Sequence, residues 1–416
     1  MDNTAADGGS GTQSSPFDTL AEAVAEAQSA DTIFVARRDG TSKGMTGGFN
    51  LPAGVKLIGE GSGLILAQTV VPVGQAPTIE GPINCGGDNL IQGLTIDGST
   101  DDLIRIDGVG DVTINENALS NPTQRHIAIV EGSGTLTITG NRFDKPSDYP
   151  CIGMENIYVD ATVHANGNTF SNDSEQPPDL LCYLGIGGTS ALDFSFNDNV
   201  AKGSQAVPFH LGLGINNSSS GPGKVTVTGN EFSYFDEAIS IDTFFDGSGT
   251  TSGAIADNTI SDVQDGIIFE GRTDTLTISG NTIANVDSGG SGIRVDLYGP
   301  EGGTVVIENN NFSNGGRAAV GIGHLDDTNA KLALRNNSFS GSGQYDALIL
   351  GGNEGTYCFD ITGNIFNQDL FLESEGDSGV FTVERFDQGL TNFNTFNPPS
   401  EVLTEGEITD GTCNIP

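Results

Sequence analysis

Apolar and small polar residues alternate in short runs along nearly the whole chain. Leu136-Thr137-Ile138 and Leu276-Thr277-Ile278 are typical, and a period of two marks strands with one buried face. Each such run leads into one phrase: an apolar residue, two small or polar ones, Asn, any residue, then an apolar one. It reads Ile138-Thr139-Gly140-Asn141-Arg142-Phe143, Val227-Thr228-Gly229-Asn230-Glu231-Phe232, Ile278-Ser279-Gly280-Asn281-Thr282-Ile283 and Ile361-Thr362-Gly363-Asn364-Ile365-Phe366. The asparagines are Asn117, Asn141, Asn168, Asn199, Asn230, Asn258, Asn281, Asn310, Asn337 and Asn364. Their spacing averages about 27 residues, a solenoid period. Insertions fall in the Gly/Ser/Asp-rich loops, after which a second alternating run follows, as in Ile239-Ser240-Ile241, Ile293-Arg294-Val295 and Leu348-Ile349-Leu350. Two or three short strands per repeat, with no helix between them, predict a β coil. Strands of successive coils then pair in parallel, about 4.8 Å apart. The asparagine is expected to hold a tight corner in left-handed geometry, with stacked amides bonding from coil to coil.

On this ladder the chain resembles the right-handed parallel β-helix of the pectate-lyase-like superfamily, over roughly residues 50 to 390. The resemblance implies an all-β, single-stranded right-handed parallel β-helix solenoid of about 13 coils. An open solenoid needs caps. Ser15 to Ala27 is the one amphipathic helical stretch, with Phe17, Leu20, Ala23, Val24 and Ala27 on one face, and Asp31 to Val35 reads as the first strand. This N-terminal capping helix, followed by Gly54-Val55-Lys56-Leu57-Ile58-Gly59-Glu60-Gly61, is similar to the opening of β-helix modules in bacterial surface and secreted proteins. The expected organisation is a cap over 1–48, the β-helix over 49–379, and a tail over 380–416 that loses the ladder and covers the last coil.

Composition narrows the partners. Asp plus Glu number 55 against 16 Lys plus Arg, a net charge of −39, so a nucleic-acid polyanion is repelled and no nucleic acid is expected. The apolar runs are short and interrupted, so the chain is not expected to be membrane-inserted. The residues after Met1 have no basic or apolar leader character, which predicts a mature form or part of a larger surface protein. The five cysteines show no C-x-x-C, and an odd number leaves one thiol free or paired with another chain. Cys413 is within the tail and is a candidate partner for Cys358.

Candidate chemistry is sparse. There is no nucleophile elbow, P-loop, H-E-x-x-H or EF-hand loop. Counting three residues beyond the first inward aliphatic of consecutive second strands gives Asp242, Glu270 and Asp296, with Arg294 on the same face. Stacked carboxylates repel, so they are expected to bind calcium or to raise one pKa. As adjacent members about 5 Å apart, they also match the spacing of retaining glycosidases. Asp242, Glu270, Asp296 and Arg294 are therefore the candidate catalytic set, and the three acids the candidate calcium ligands. Arg272, His210, Tyr298 and Phe244 are the candidate substrate contacts, and Tyr234, Phe235 and Phe245, with Phe244 and Tyr298, are expected in nearby loops as aromatics for sugar stacking.

Two functions follow. The first is an exported, extracellular or cell-surface module that binds a polysaccharide or cell-surface glycan or acts as an adhesin. The second is a polysaccharide lyase or glycoside hydrolase acting on a long glycan laid across the coils. With few cations available to neutralise uronates, a neutral glycan suits the acidic face better.

Overall fold

A computed structural model describes residues 1–66, 69–107, 110–130, 133–171, 180–203, 205, 208–243, 249–298, 303–326, 328–352, 355–374 and 379–416. It is a parallel β-solenoid of about 12 turns with one short N-terminal helix. The chain divides into two compact units, Met1–Leu184 with Leu192–Val200, and Gly185–Ala191 with Ala201–Pro416.

In the first unit the coil has three strand positions. Thr32–Val35, Lys56–Gly59, Asn89–Gln92, Val112–Asn115, Thr135–Thr139, Ala161–Asn166 and Leu192–Asn197 pair in parallel along one face. Ala118–Ser120, Arg142–Asp144 and Thr169–Ser171 stack along another. Ile104–Ile106, Ile127–Ile129 and Ile152–Ile157 stack along the third. The same plan governs the second unit, with Gly223–Thr228, Thr251–Ala256, Thr275–Ser279, Gly303–Glu308 and Thr328–Arg335 on the first face. There, however, Glu231–Asp242 and Thr259–Gly271 are long strands that turn the corner without breaking.

The core follows from the repeated phrase. Every ladder asparagine from Asn117 to Asn364 is buried. In the second unit the backbone N–H and Nδ2 of Asn281 both donate to Oδ1 of Asn310, at 2.9 and 3.0 Å, and Nδ2 also donates to the Ile255 carbonyl. Its own Oδ1 accepts the corresponding two bonds from Asn258. Both amide donors and both acceptor positions are thus satisfied inside the protein, as burial requires. The first unit repeats this pattern from Asn117 to Asn141, Asn168 and Asn199. Two positions after the asparagine, the apolar residue of the phrase points inward and stacks with its counterparts. Phe312, Phe339, Phe366 and Phe396 form such a column, with centroids 5.1, 5.2 and 4.8 Å apart.

Three expectations are corrected. The left-handed residue at each corner is not the asparagine but the one before it: Glu116, Gly140, Gly167, Asp198, Gly229, Asp257, Gly280, Asn309, Asn336 and Gly363 all have positive φ. That conformation turns the chain so the asparagine side chain can enter the corner, and residues tolerant of it (Gly, Asn, Asp) fill nine of the ten places. The ladder also runs one rung beyond Asn364, which donates to Oδ1 of Asn394, and Val380–Glu384 and Thr409–Gly411 keep the parallel pairing. Finally, the helix is only Leu20–Glu26. Thr19, in extended geometry, accepts from the Glu22 N–H, so Phe17 lies before the N-cap and off the helical face.

The tail beyond Gly411 does fold back. Cys413 is bonded to Cys358, while Cys85, Cys151 and Cys182 are free and buried. Arg335 donates to the Pro416 and Ile415 carbonyls and, with Arg385, clasps the buried Asp360 at 2.8 and 2.9 Å.

Two predictions follow. Asn281→Leu orphans the groups that bond to its amide, and should cost on the order of 1–3 kcal/mol for each buried group left unpaired. Urea unfolding checks this, and a midpoint equal to wild type would show the ladder to be ornamental. The second concerns His126, fully buried, with Nε2 against the Asp144 carbonyl at 2.9 Å and its ring edge-on to Phe143. Burial pushes its pKa down to about 4, against the pull of the Asp144 carbonyl. Its folded pKa lies below the unfolded value, so its contribution is intact above pH 6.5 and is lost as pH falls towards 4. The loss should reach roughly 3 kcal/mol. Wild type should therefore lose more stability than His126→Gln between pH 7 and pH 4.5, and parallel losses would refute the assignment.

Candidate functional site

Strand register brings the predicted acids together. Asp242 is the cross-strand partner of Glu270, and Glu270 of Asp296. The flanking Ile241, Phe269 and Val295 point into the core with at most 2% exposure, so alternation turns the three acids to the outer face.

The column is not an open row of carboxylates. Arg294 lies two residues before Asp296, hence beside it on the same face. Its Nε meets Asp296 Oδ2 at 2.7 Å, and its Nη2 meets Glu270 Oε1 at 2.9 Å on the neighbouring coil. The side chain of Asp296 is 2% exposed, that of Glu270 25% and that of Arg294 41%. The expected solvated column is therefore covered in part by a guanidinium clamp. Burial works against the Arg294 charge, but Asp296, Glu270 and Asp265 outweigh it and raise its pKa.

Asp265 is an addition to the site that the strand count did not find, because it lies on another row of the same strand. It is the cross-strand partner of Glu237, and its Oδ1 accepts from the Ser291 N–H at 2.7 Å. Burial pushes its carboxyl upward, while the Ser291 N–H and the Arg294 charge oppose the shift.

The oxygens of Asp242, Glu270 and Asp296 do not converge on one point. Among the described residues, the set of three acids whose ligand oxygens all lie within 4.8 Å is Asp7, Asp18 and Glu22, beside the N-terminal helix. Arg294 supplies a counter-charge to Glu270 and Asp296.

The other predicted contacts scatter. Arg272 follows the end of Thr259–Gly271, where its backbone N–H donates to Thr243 Oγ1 at 2.6 Å. His210 is exposed and pairs with Asp236 at 3.0 Å, near the opposite end of its strand from the acid column. Tyr298 closes the strand Ser291–Tyr298, in register with Asp326. Phe244 and Phe245 lie outside the described residues. Tyr234 and Phe235 belong to Glu231–Asp242 rather than to a loop, and Phe235 is stacked inside on Phe209. Neither Phe235 nor its core neighbours can face a ligand.

Residues 184–366 match the family model described as "Right handed beta helix region", which spans the site strands. No curated protein matches the chain. Among solved structures, the chain is similar to the tailspike protein gp49 of Acinetobacter baumannii bacteriophage Fri1, described as a capsular polysaccharide depolymerase. Identity is 11%, the TM-score is 0.23, and the match covers 94% of this chain and 63% of that one. The chain thus spans less than two thirds of the tailspike's length.

Removing the clamp should expose its function in the fold. Arg294→Ala strands the buried Asp296 charge and should cost about 1–3 kcal/mol, below the ~3–5 of a fully buried pair because the guanidinium is partly solvated. Arg294→Lys should recover part of the loss. Denaturant midpoints identical across the three proteins would mean the pairs contribute nothing to stability.

Proposed function

We propose that the protein is an exported, extracellular or cell-surface β-helix module that binds a neutral glycan laid across the coils at the Arg294 face. The observation that carries this reading is the guanidinium held between Glu270 and Asp296 at 2.9 and 2.7 Å. A fixed set of charged donors and acceptors suits sugar hydroxyls, whereas two carboxylates engaged by one guanidinium are not poised to trade a proton. The net charge of −39 disfavours polyuronates. The Cys358–Cys413 disulfide supports an oxidising compartment. Among the described residues no helix is long and apolar enough to cross a membrane.

A glycoside hydrolase is the second reading, favoured by one observation. Asp265, pushed upward by burial, sits in register with Glu237, and a raised carboxyl is what a general acid needs.

An array of neutral and uronate oligosaccharides, followed by a reducing-end assay on the hits, tests both. The binding module predicts neutral hits, weakened at least tenfold by Arg294→Ala in protein shown to be folded, with no new reducing ends. Cleavage that disappears in Asp265→Asn would transfer the assignment to the hydrolase. Retention of uronates alone, or of no glycan, would overturn both.

A further inference from the structure

The coils that follow the Arg294 clamp carry a surface that packing does not explain. In register with Arg294 and Asp296, the next coil presents Gly321 and Gly323. Most strand glycines here are required by space: a Cβ at Gly292 would lie 2.6 Å from the Ala319 carbonyl, and one at Gly266 2.3 Å from that of Gly292. Gly321 is different. A Cβ there would meet only Ser291 Oγ at 3.4 Å and the Ile293 carbonyl at 4.0 Å, which are ordinary contacts, and its φ is not left-handed. The fold accepts a side chain at this position and the sequence has none. A strand glycine without a packing cause marks a bulge, a bend or a place where another group approaches the backbone; the register shift of this strand pair falls beyond Asp296 and Gly323, so at Gly321 the approach of another group is the reading taken.

Beyond the glycines the face becomes apolar and aromatic. Gly321 pairs with Leu348, and Leu348 with Phe371. Phe371 and Tyr345 are both partly exposed, with ring centroids 5.5 Å apart. The order along the stack is therefore guanidinium with carboxylates, bare backbone, the buried Leu348 with Tyr345 on its strand, then Phe371, each step being one coil of about 4.8 Å. Arg294 and Phe371 are three coils, or about 14 Å, apart at the backbone.

From this order we infer a saccharide subsite over Gly321, bounded by the Arg294–Asp296 pair on one side and the Phe371–Tyr345 pair on the other. It rests on the glycan-binding reading and extends it. The sugar presents hydroxyls to the clamp and an apolar ring face to Phe371, the amphipathic partner that aromatic side chains take when one end is wet. The chain of sugars runs along the stack from coil to coil rather than around one coil. Uncharged rings are selected because Glu270 and Glu373 flank this path; Glu373 is the partner of Leu350, one row from Phe371.

Calorimetric titration with cellohexaose, maltohexaose and hexagalacturonate tests the subsite, using wild type, Gly321→Val, Phe371→Ala and Arg294→Lys. The expected result is binding of at least one neutral hexasaccharide by wild type, weakened at least tenfold by both Gly321→Val and Phe371→Ala. Melting temperature and circular dichroism should stay at wild-type values in Gly321→Val, which separates a blocked surface from a damaged fold. Neutral binding that is weakened by Arg294→Lys but untouched by Gly321→Val and Phe371→Ala would overturn the subsite while leaving the glycan reading in place. No binding of either neutral hexasaccharide, or binding of hexagalacturonate alone, would overturn both.

Discussion

The buried asparagine amide, bonded upward, downward and to a strand carbonyl, is the constraint on which the rest depends. A parallel coil must turn at each corner, and a turn exposes backbone groups that the strand ladder cannot satisfy. In each rung from Asn258 to Asn364 the side chain supplies what is missing, and its oxygen receives the same service from the preceding coil. This fixes vertical register as well as closing the corner. A slip of two residues one way would put the amide into the apolar column, and the same slip the other way would put Phe312 or Phe339 into the corner, so both ladders enforce the same alignment.

Fixed register turns the outer face into a grid. Neighbours lie two residues apart along a strand or one coil apart between strands, and a basic side chain can reach both kinds. Arg294 uses both, taking Asp296 along the strand and Glu270 across it. Arg105 reaches Asp107 and Asp102 on its own strand and flank, and Arg335 and Arg385 meet at Asp360. With 55 acids and 16 bases, Arg294, Arg105 and Arg385 each meet two carboxylates, while Asp360 takes two guanidinium groups. The acidic composition therefore shapes local geometry as well as solubility.

The fold was legible because its signal is repeated. The Asn-x-apolar phrase returns with enough regularity to define coil, corner and core from letters alone. Its last instance, Asn394-Thr395-Phe396, is harder to see, because Thr391 and Phe393 stand where the other phrases have an apolar residue and a small or polar one. The left-handed residue was misplaced by one position because Asn tolerates that conformation, and only the buried amide shows that it is otherwise engaged. At the site, counting along strands found Asp242, Glu270 and Asp296, and the register bears out their alignment. Counting cannot say which neighbour a long flexible side chain will choose. That Arg294 would bridge two acids, and that Asp296 would be nearly sealed beneath it, depends on side-chain reach and burial. Phe235 was misread for a related reason: a corner that does not break the strand leaves no loop in which an aromatic could be exposed.

A solenoid must also be prevented from unwinding at its ends, where each strand has a partner on one side only. At the C-terminal end the solution combines three kinds of bond. Asn394 continues the amide ladder into the last turn, so the corner stays closed. The disulfide then joins Cys413 to a strand two coils earlier, and Arg335 takes the terminal carbonyls one coil earlier still. Fraying of the final coil cannot proceed rung by rung, because the tail is tied to strands already well inside the stack. Thr404, Glu405, Thr409 and Asp410, on Val402–Glu405 and Thr409–Gly411, are exposed. The disulfide and the Arg335 contacts both act on a register that the buried asparagines hold.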